Sequence, residues 1–443
     1  MKEVLVFGGA RSGVAAARLL RQNGWSVIIT DQKEILEKRE LQALGIEVLD
    51  GGHPDSLYRS FDLVVKNPGI PYRQPLIAWY LKMGIEIISE LEVVMRYRPH
   101  YVYGAITGTN GKTTITTLLS LMLKKKSETA VAAGNIGTPL SAVALQDSSD
   151  TKRDIALEIS AFQLVATPSL SPKVSLITNL TPDHLDYFDS LDAYYQAKNL
   201  VYRNQKGDDW FLYNIDDRNV VETVFDLPCK AVSVSLLEEA DLCGKDNEVT
   251  LFGEFLFDAS RLQIVGLHNR FNAMCAAAMA VKMGVALDDI REVLYSFAGV
   301  EHRIEFVAKL DGVKYYNDSK GTNVDSTITA LKAFDKPVLL LAGGYDKKTG
   351  FDELFDYRDK IKKLYVFGDT KAQLAELKAD AVICQDMKEA LTRAARDAKS
   401  GDVVLLSPAC ASYDQFKNYE ERGRLFKQYV NDLKRGQDDG LSH

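Results

Sequence analysis

The segment Tyr101–Thr114 constrains this chain more than any other. A run of β character, Tyr101-Val102-Tyr103-Gly104-Ala105-Ile106, passes directly into Thr107-Gly108-Thr109-Asn110-Gly111-Lys112-Thr113-Thr114, and a helix is expected from about Thr113 to Lys125. A buried strand, a glycine turn and a helix make half of a crossover, so the sheet they build is mostly parallel. The turn also has a chemistry. Glycines let backbone N–H groups converge with no Cβ in the way, and the helix N-terminus adds positive potential. Lys112 then supplies a point charge for the β and γ phosphates of a nucleotide, and the Thr113 hydroxyl can reach Mg²⁺. The full pattern GxxxxGK(S/T) would put glycine at 106, where Ile106 stands, so the match is GxxGKT. The blander alternative is a glycine turn with an exposed lysine. Phosphate binding by Gly108–Thr114 would suit a kinase, an ATPase or a ligase.

With 443 residues the chain exceeds one ordinary core, and two or three domains are expected. Hydrophobic residues make up 46% and charged residues 26%, as in globular proteins. A formal net charge of −7 argues against a nucleic-acid partner, which usually leaves a basic footprint. Anionic substrates must then be met by local Lys and Arg. No apolar run approaches the ~20 residues of a membrane span. Met1–Gly8 enters a short strand rather than a signal peptide. Cys229, Cys243, Cys275, Cys384 and Cys410 are scattered and form no CxxC pair, which suggests neither a disulfide framework nor a zinc site. The expectation is a reduced, cytoplasmic, monomeric enzyme.

Three α/β segments follow one another, with limits set at 1–97, 98–298 and 299–443. In the first, a strand Val4–Phe7 runs into Gly8-Gly9-Ala10-Arg11-Ser12-Gly13, then a helix from Val14 to Leu20 and a strand Trp25–Thr30 ending at Asp31. This is near the dinucleotide fingerprint, with Ala10 replacing its second glycine and Asp31 near the ribose-binding spacing. It reads either as a cofactor site or as a helix N-terminus that accepts phosphate. Strands Asp62–Lys66 and Glu86–Ile88 follow, and the segment fades out around 96–100. In the second segment, strands are expected at Ala130–Ala133, Asp154–Ile159 and Val174–Thr178. The stretches Trp210–Tyr213, Ala231–Val234 and Leu251–Phe257 are expected to form an antiparallel patch, before a helix Asn269–Met283. The third has strands at Val313–Tyr316, Val338–Ala342, Leu364–Phe367, Ala381–Cys384 and Val403–Ser407, a helix from about Gln415 to Leu433, and a frayed tail from Arg435.

Glu158 is a charge inside a buried strand, which is costly unless the carboxylate is paired or bound to a cation; the alternative is an exposed strand end. His184 and Asp183 lie in the loop leaving Val174–Thr178, either at a ligand site beyond a parallel strand or in a helix N-cap. Lys198, on a helix face, reads by default as a solvated lysine.

GTNGKTT, LEISAFQL (Leu157–Leu164), NLTPDHLD (Asn179–Asp186), YYQAK (Tyr194–Lys198) and GLHNRFN (Gly266–Asn272) together resemble the central domain of the Mur ligase family, the ATP-dependent amino-acid ligases of bacterial cell-wall precursor synthesis. His302-Arg303, YYNDSKGTN (Tyr315–Asn323), LAGGYDKK (Leu341–Lys348) and SPACASYDQFKNYEERG (Ser407–Gly423) resemble its D-glutamate-adding branch. The resemblance implies a Rossmann-like N-terminal domain holding UDP, a central P-loop-like ATPase domain and a Rossmann-like C-terminal domain for the amino acid. It implies the substrates UDP-N-acetylmuramoyl-L-alanine and D-glutamate, an acyl-phosphate intermediate, ATP and two Mg²⁺ ions. Gly108, Thr109, Asn110, Gly111, Lys112, Thr113, Thr114, Asn269, Asn272, Arg303 and Asp318 are implied ATP contacts. Thr113, Glu158, His184 and a carbamoylated Lys198 are implied at the metal, and Lys112, Glu158, His184 and Lys198 in catalysis. Gly9, Ala10, Arg11, Ser12, Asp31, Gln32, Lys33, Asn67, Gly69 and Asn135 are implied for the UDP substrate. Thr322, Lys347 (or Lys348), Ser412 and Tyr419 are implied for D-glutamate. Ala161, Gly321 and Tyr419 depart from the family's common residues, which leaves individual contacts rather than the reaction in question.

Overall fold

The computed structural model describes residues 2–181, 188, 190–345 and 350–439. The chain forms two compact units, one holding the residues up to Asp258 with Phe271–Val293, the other Ala259–Arg270 and the residues from Leu294 onward.

The first unit contains two sheets. β1 (Glu3–Phe7), β2 (Ser26–Asp31), β3 (Glu47–Asp50), β4 (Leu63–Lys66) and β5 (Ile87–Ile88) lie in the order β3-β2-β1-β4-β5, all parallel. Strand order reverses about β1, which opens a crevice beyond its C-terminal end, between the ends of β2 and β4. The helix after β1 starts at Arg11, earlier than its apolar run suggested. Ahead of the stretch 96–100, where the segment was expected to fade out, Ser89 accepts from Glu92 N–H and caps a helix, Glu90–Tyr97.

The second sheet has the order β14-β13-β12-β11-β10-β9-β6-β8-β7. Its strands are β6 (Tyr101–Thr107), β7 (Val131–Gly134), β8 (Arg153–Glu158), β9 (Val174–Ile177), β10 (Trp210–Asn214), β11 (Lys230–Ser235), β12 (Leu242–Lys245), β13 (Glu248–Leu251) and β14 (Glu254–Asp258). The expected antiparallel patch is smaller than proposed. β10 and β11 extend the parallel sheet, and only β12–β14 alternate in direction. The stretch taken as one strand, 251–257, is a hairpin, because Phe252 (φ 52°) and Gly253 (φ 79°) turn the chain between β13 and β14. The interior is continuous across the first unit, from Val4 and Ile29 to Ala105, Ile155 and Ile177.

The second unit holds β15 (Glu305–Leu310), β16 (Val313–Asn317), β17 (Val338–Gly343), β18 (Ile361–Phe367), β19 (Val382–Ile383) and β20 (Val403–Leu406), in the order β15-β16-β20-β17-β18-β19. Only β15, which the sequence did not announce, runs antiparallel to its neighbour. The last helix spans Tyr419–Asp439, so the chain stays helical past Arg435, where fraying was expected. Among the described residues no helix is long and apolar enough to cross a membrane. The α/β architecture with mostly parallel sheets agrees with the sequence expectation.

Candidate active site

The glycine loop leaves the C-terminal end of β6, between β8 and β9. Gly108 (φ +132°) and Gly111 (φ +87°) adopt backbone that L side chains rarely accept, and a Cβ at Gly108 would lie 2.0 Å from Thr178 Oγ1. The loop is strapped to the segment after β9. Asn110 N–H donates to Asn179 Oδ1 (2.8 Å), Thr109 N–H to the Asn179 carbonyl (2.9 Å), and Thr178 Oγ1 to the Asn110 carbonyl (2.6 Å). Gly111 is the N-cap of the helix Lys112–Lys126, so Lys112, Thr113 and Thr114 form its first turn, where N–H groups lack intrahelical partners. Lys112 Nζ folds back onto the carbonyls of Gly108 (2.9 Å) and Thr109 (2.8 Å). Asn272 packs under the loop, its Oδ1 where a Gly111 Cβ would project.

Glu158 ends β8 beside the loop. It is 3% exposed, which removes the exposed-end alternative. Its Oε1 accepts from Asn135 Nδ2 at 3.0 Å, and its Oε2 is buried without a hydrogen-bond partner. A buried carboxylate oxygen left open is costly and suits a hard cation. The open Glu158 oxygen is the observation that fits Mg²⁺, and Thr113, in the first turn of the helix Lys112–Lys126, is the hydroxyl expected to join it. Lys198 is 2% exposed rather than solvated, donates to the Gly108 carbonyl at 2.9 Å and lies 4.5 Å from the Tyr194 ring centroid. Its helix, Leu191–Asn199, is capped by Ser190. His184 falls outside the described residues.

A cavity of about 460 Å³ connects the glycine loop and Lys198 to the first sheet. Gly108, Thr109, Lys112, Asn135 and Lys198 line it from one side, and Ser12, Asn67, Pro68 and Gly69 from the other. Asn67 Nδ2 reaches Ser12 Oγ at 3.4 Å, and Arg11 donates to the Gly137 carbonyl at 3.0 Å. Asp31 accepts from Gly9 N–H (2.6 Å) and Lys33 N–H (2.8 Å) through its two oxygens, so it shapes the turn around Gly9 and Ala10. Gln32 and Lys33 are exposed in the loop that follows.

In the second unit, the loops beyond β16 and β20 carry the other expected residues. Asp318 is buried, accepting from Ser407 Oγ (2.7 Å) and Ile304 N–H (3.2 Å), and burial pushes its carboxyl up to about 7. Ser319 Oγ donates to the Tyr419 carbonyl at 2.8 Å. Ser412 is buried, Thr322 and Tyr419 are half-buried, and Arg303 is exposed. Asn269 donates to the Val265 carbonyl at 2.9 Å. Lys347 and Lys348 fall outside the described residues.

Sequence reasoning missed several buried ionic groups, Glu90, Lys66 and Arg422 among them. Glu90 lines the cavity, accepts from Ser141 N–H, and has its carboxyl pushed up to about 7 by burial. Lys66 lies under the loop 67–70. Arg422, fully buried, donates to the carbonyls of Ser319 (2.8 Å), Cys410 (3.1 Å) and Ala411 (3.3 Å). Ser89 before Glu90 was a readable cap, but no local pattern tells which charges burial will claim.

Residues 2–89 match the description "Mur ligase MurD-like, N-terminal domain", 106–280 "Mur ligase middle domain", and 302–410 "Mur ligase, glutamate ligase domain". The UDP-N-acetylmuramoylalanine--D-glutamate ligase of Bacillus cereus (strain G9842) is 41% identical over 445 residues, covering 98% of each chain. The enzyme of that name from Bacillus subtilis (strain 168) is 40% identical over 442 residues, covering 97% of each. Among solved structures, a UDP-N-acetylmuramate-alanine ligase from Thermotoga maritima superposes with a TM-score of 0.59 at 19% identity, over 98% of this chain and 100% of that one. That last likeness speaks for the fold.

Proposed function

The chain belongs to the Mur ligase family, and on that premise we propose that it joins D-glutamate to UDP-N-acetylmuramoyl-L-alanine while ATP is cleaved to ADP and phosphate. Residues 1–97 hold the UDP moiety through the turn Gly9–Ser12, the loop Asp31–Lys33 and Asn67–Gly69. Residues 98–298 hold ATP through Gly108–Thr114 and Asn272, and residues 299–443 hold D-glutamate through Thr322, Lys347, Ser412 and Tyr419. Asn269, Arg303 and Asp318 complete the nucleotide contacts. The enzyme acts as a monomer.

The observation that carries this reading is the shared cavity. Lys112 and the loop amides line it with Ser12, Asn67 and Asn135, so a substrate held over the first sheet can bring its carboxylate to a triphosphate held by the second. A carboxylate oxygen attacks the γ phosphorus, the bond to ADP breaks, and an acyl phosphate forms. The D-glutamate amine then attacks the acyl carbon, a tetrahedral intermediate loses phosphate and a proton, and an amide remains. Lys112 offsets charge on the β and γ phosphates, and loop amides hold them in line. Asn135, anchored on Glu158, orients the reacting carboxylate. Thr113, Glu158, His184 and a carbamoylated Lys198 would hold Mg²⁺, two ions in all, which when bound lessens the repulsion between carboxylate and triphosphate.

The test is phosphate release with purified protein. It should require both UDP-N-acetylmuramoyl-L-alanine and D-glutamate. Turnover with L-lysine or meso-diaminopimelate in place of D-glutamate, and none with D-glutamate, would overturn the assignment.

A further inference from the structure

Lys66 ends β4, one residue before the cavity-lining turn, yet is itself only 1% exposed. Its ammonium donates to the carbonyls of Ile70 (2.7 Å), Asn67 (3.2 Å) and Pro68 (3.5 Å), and lies 4.7 Å from the Tyr72 ring centroid. Burying an ammonium is costly, and here desolvation lowers its pKa to about 8. A methionine would fill similar space without that cost, so the charge needs a reason.

The turn supplies one. Pro68 and Pro71 bring no N–H, so the segment 67–71 is rich in acceptors and poor in donors. Lys66 provides donors from the buried side. Drawing the Pro68 carbonyl toward the ammonium turns the Gly69 N–H the opposite way, because the two groups of one peptide plane point apart. That N–H donates to Asn67 Oδ1 at 3.1 Å, which fixes the Asn67 amide so that its Nδ2 faces Ser12 Oγ at 3.4 Å. Ile70 N–H closes the turn on the Asn67 carbonyl at 3.0 Å. The carbonyls of Asn67, Pro68 and Ile70 are thereby engaged by the buried ammonium, which offsets the repulsion they would offer an anionic ligand. Asn67, Pro68 and Gly69 line the cavity.

We propose that Lys66 is a positioning residue for the nucleotide-sugar substrate, acting through Asn67 and Gly69 to preset the turn that meets its uridine diphosphate. This rests on the substrate reading given above. It commits the buried lysine to one ligand, and predicts a defect in UDP binding that the ATP site does not share.

The test is calorimetric titration of the full chain with UDP alone and with a non-hydrolysable ATP analogue. Lys66→Met should bind UDP at least tenfold more weakly than wild type and the ATP analogue within about twofold. Lys66→Arg, which keeps a buried multi-donor cation, should recover most of the UDP affinity. Amide exchange should quicken at Gly69 and Ile70 in Lys66→Met but stay unchanged within β4. If Lys66→Met does not fold, Lys66→Gln is read by the same measurements. Equal UDP affinity in wild type and variant overturns the inference alone, as does equal loss of UDP and ATP-analogue binding. Failure of wild type to bind UDP overturns the substrate reading and the inference with it.

Discussion

Lys112 and Lys198 donate to the same acceptor, the Gly108 carbonyl oxygen, each at 2.9 Å. Two ammonium groups on one oxygen lie at most about 6 Å apart, and at an effective dielectric of about 20 their repulsion is on the order of 3 kcal/mol. An incoming triphosphate, bound at this loop, would offset that repulsion. Lys112→Ala should lower phosphate release at least about a hundredfold, in line with loss of a transition-state donor. Its thermal midpoint should stay near that of wild type, since the repulsion goes with the lysine. Near-normal kcat would remove Lys112 from the phosphate site.

The same pair bears on the state of Lys198. A carbamate at Lys198 would attract the Lys112 ammonium that shares its carbonyl partner, where a second ammonium repels it. Protein equilibrated with ¹³C-bicarbonate should show a carbamate carbon resonance that is absent from Lys198→Ala. A wild-type spectrum without that signal would leave a plain amine at this position and contradict the modification.

How far the sequence carried this picture depended on whether a feature was local. The strand, turn and helix around Gly108–Thr114 follow from residues next to one another, and the structure reproduces them nearly residue for residue. Trp210–Tyr213 and Ala231–Val234 were legible as strands but not as parallel ones, because direction depends on which edge of the sheet a strand joins. Lys198 read as solvated because helical spacing says nothing about what packs against a face. Glu158 was legible as a charge in an apolar strand, whereas its open Oε2 required the Asn135 contact to be seen.

Glu90 gives the first unit a pH dependence whose sign is fixed. Burial raises its carboxyl from the usual 4.5 to about 7, so the folded state holds a proton there that the unfolded chain releases. The associated stability is fully present below about pH 4.5 and is lost as pH rises through 7. The shift corresponds to about 3 kcal/mol at most. Glu90→Gln, which keeps an acceptor for Ser141 N–H, should gain stability over wild type at pH 8 and lose that advantage at pH 5. Denaturant unfolding at both values checks this, and a pH-independent difference would place the titration elsewhere.

Arg422 joins two chain segments that carry expected D-glutamate residues. Its guanidinium donates to the Cys410 and Ala411 carbonyls just before Ser412, and to the Ser319 Oγ (3.0 Å) and carbonyl just before Thr322. Burial lowers its pKa to about 10, so it stays charged at neutral pH. A planar fork reaches these acceptors together, whereas a lysine offers a single nitrogen and must leave some of them unpaired. Each buried acceptor left open costs about 1–3 kcal/mol. Arg422→Lys should therefore lower the stability of the second unit by a few kcal/mol and raise KM for D-glutamate at least about tenfold, with KM for the UDP substrate little changed. Differential scanning calorimetry and a three-substrate KM series read both effects. If KM for the UDP substrate rises in parallel with that for D-glutamate, Arg422 is a general support of the fold, and the link from its guanidinium to Ser412 carries no specificity.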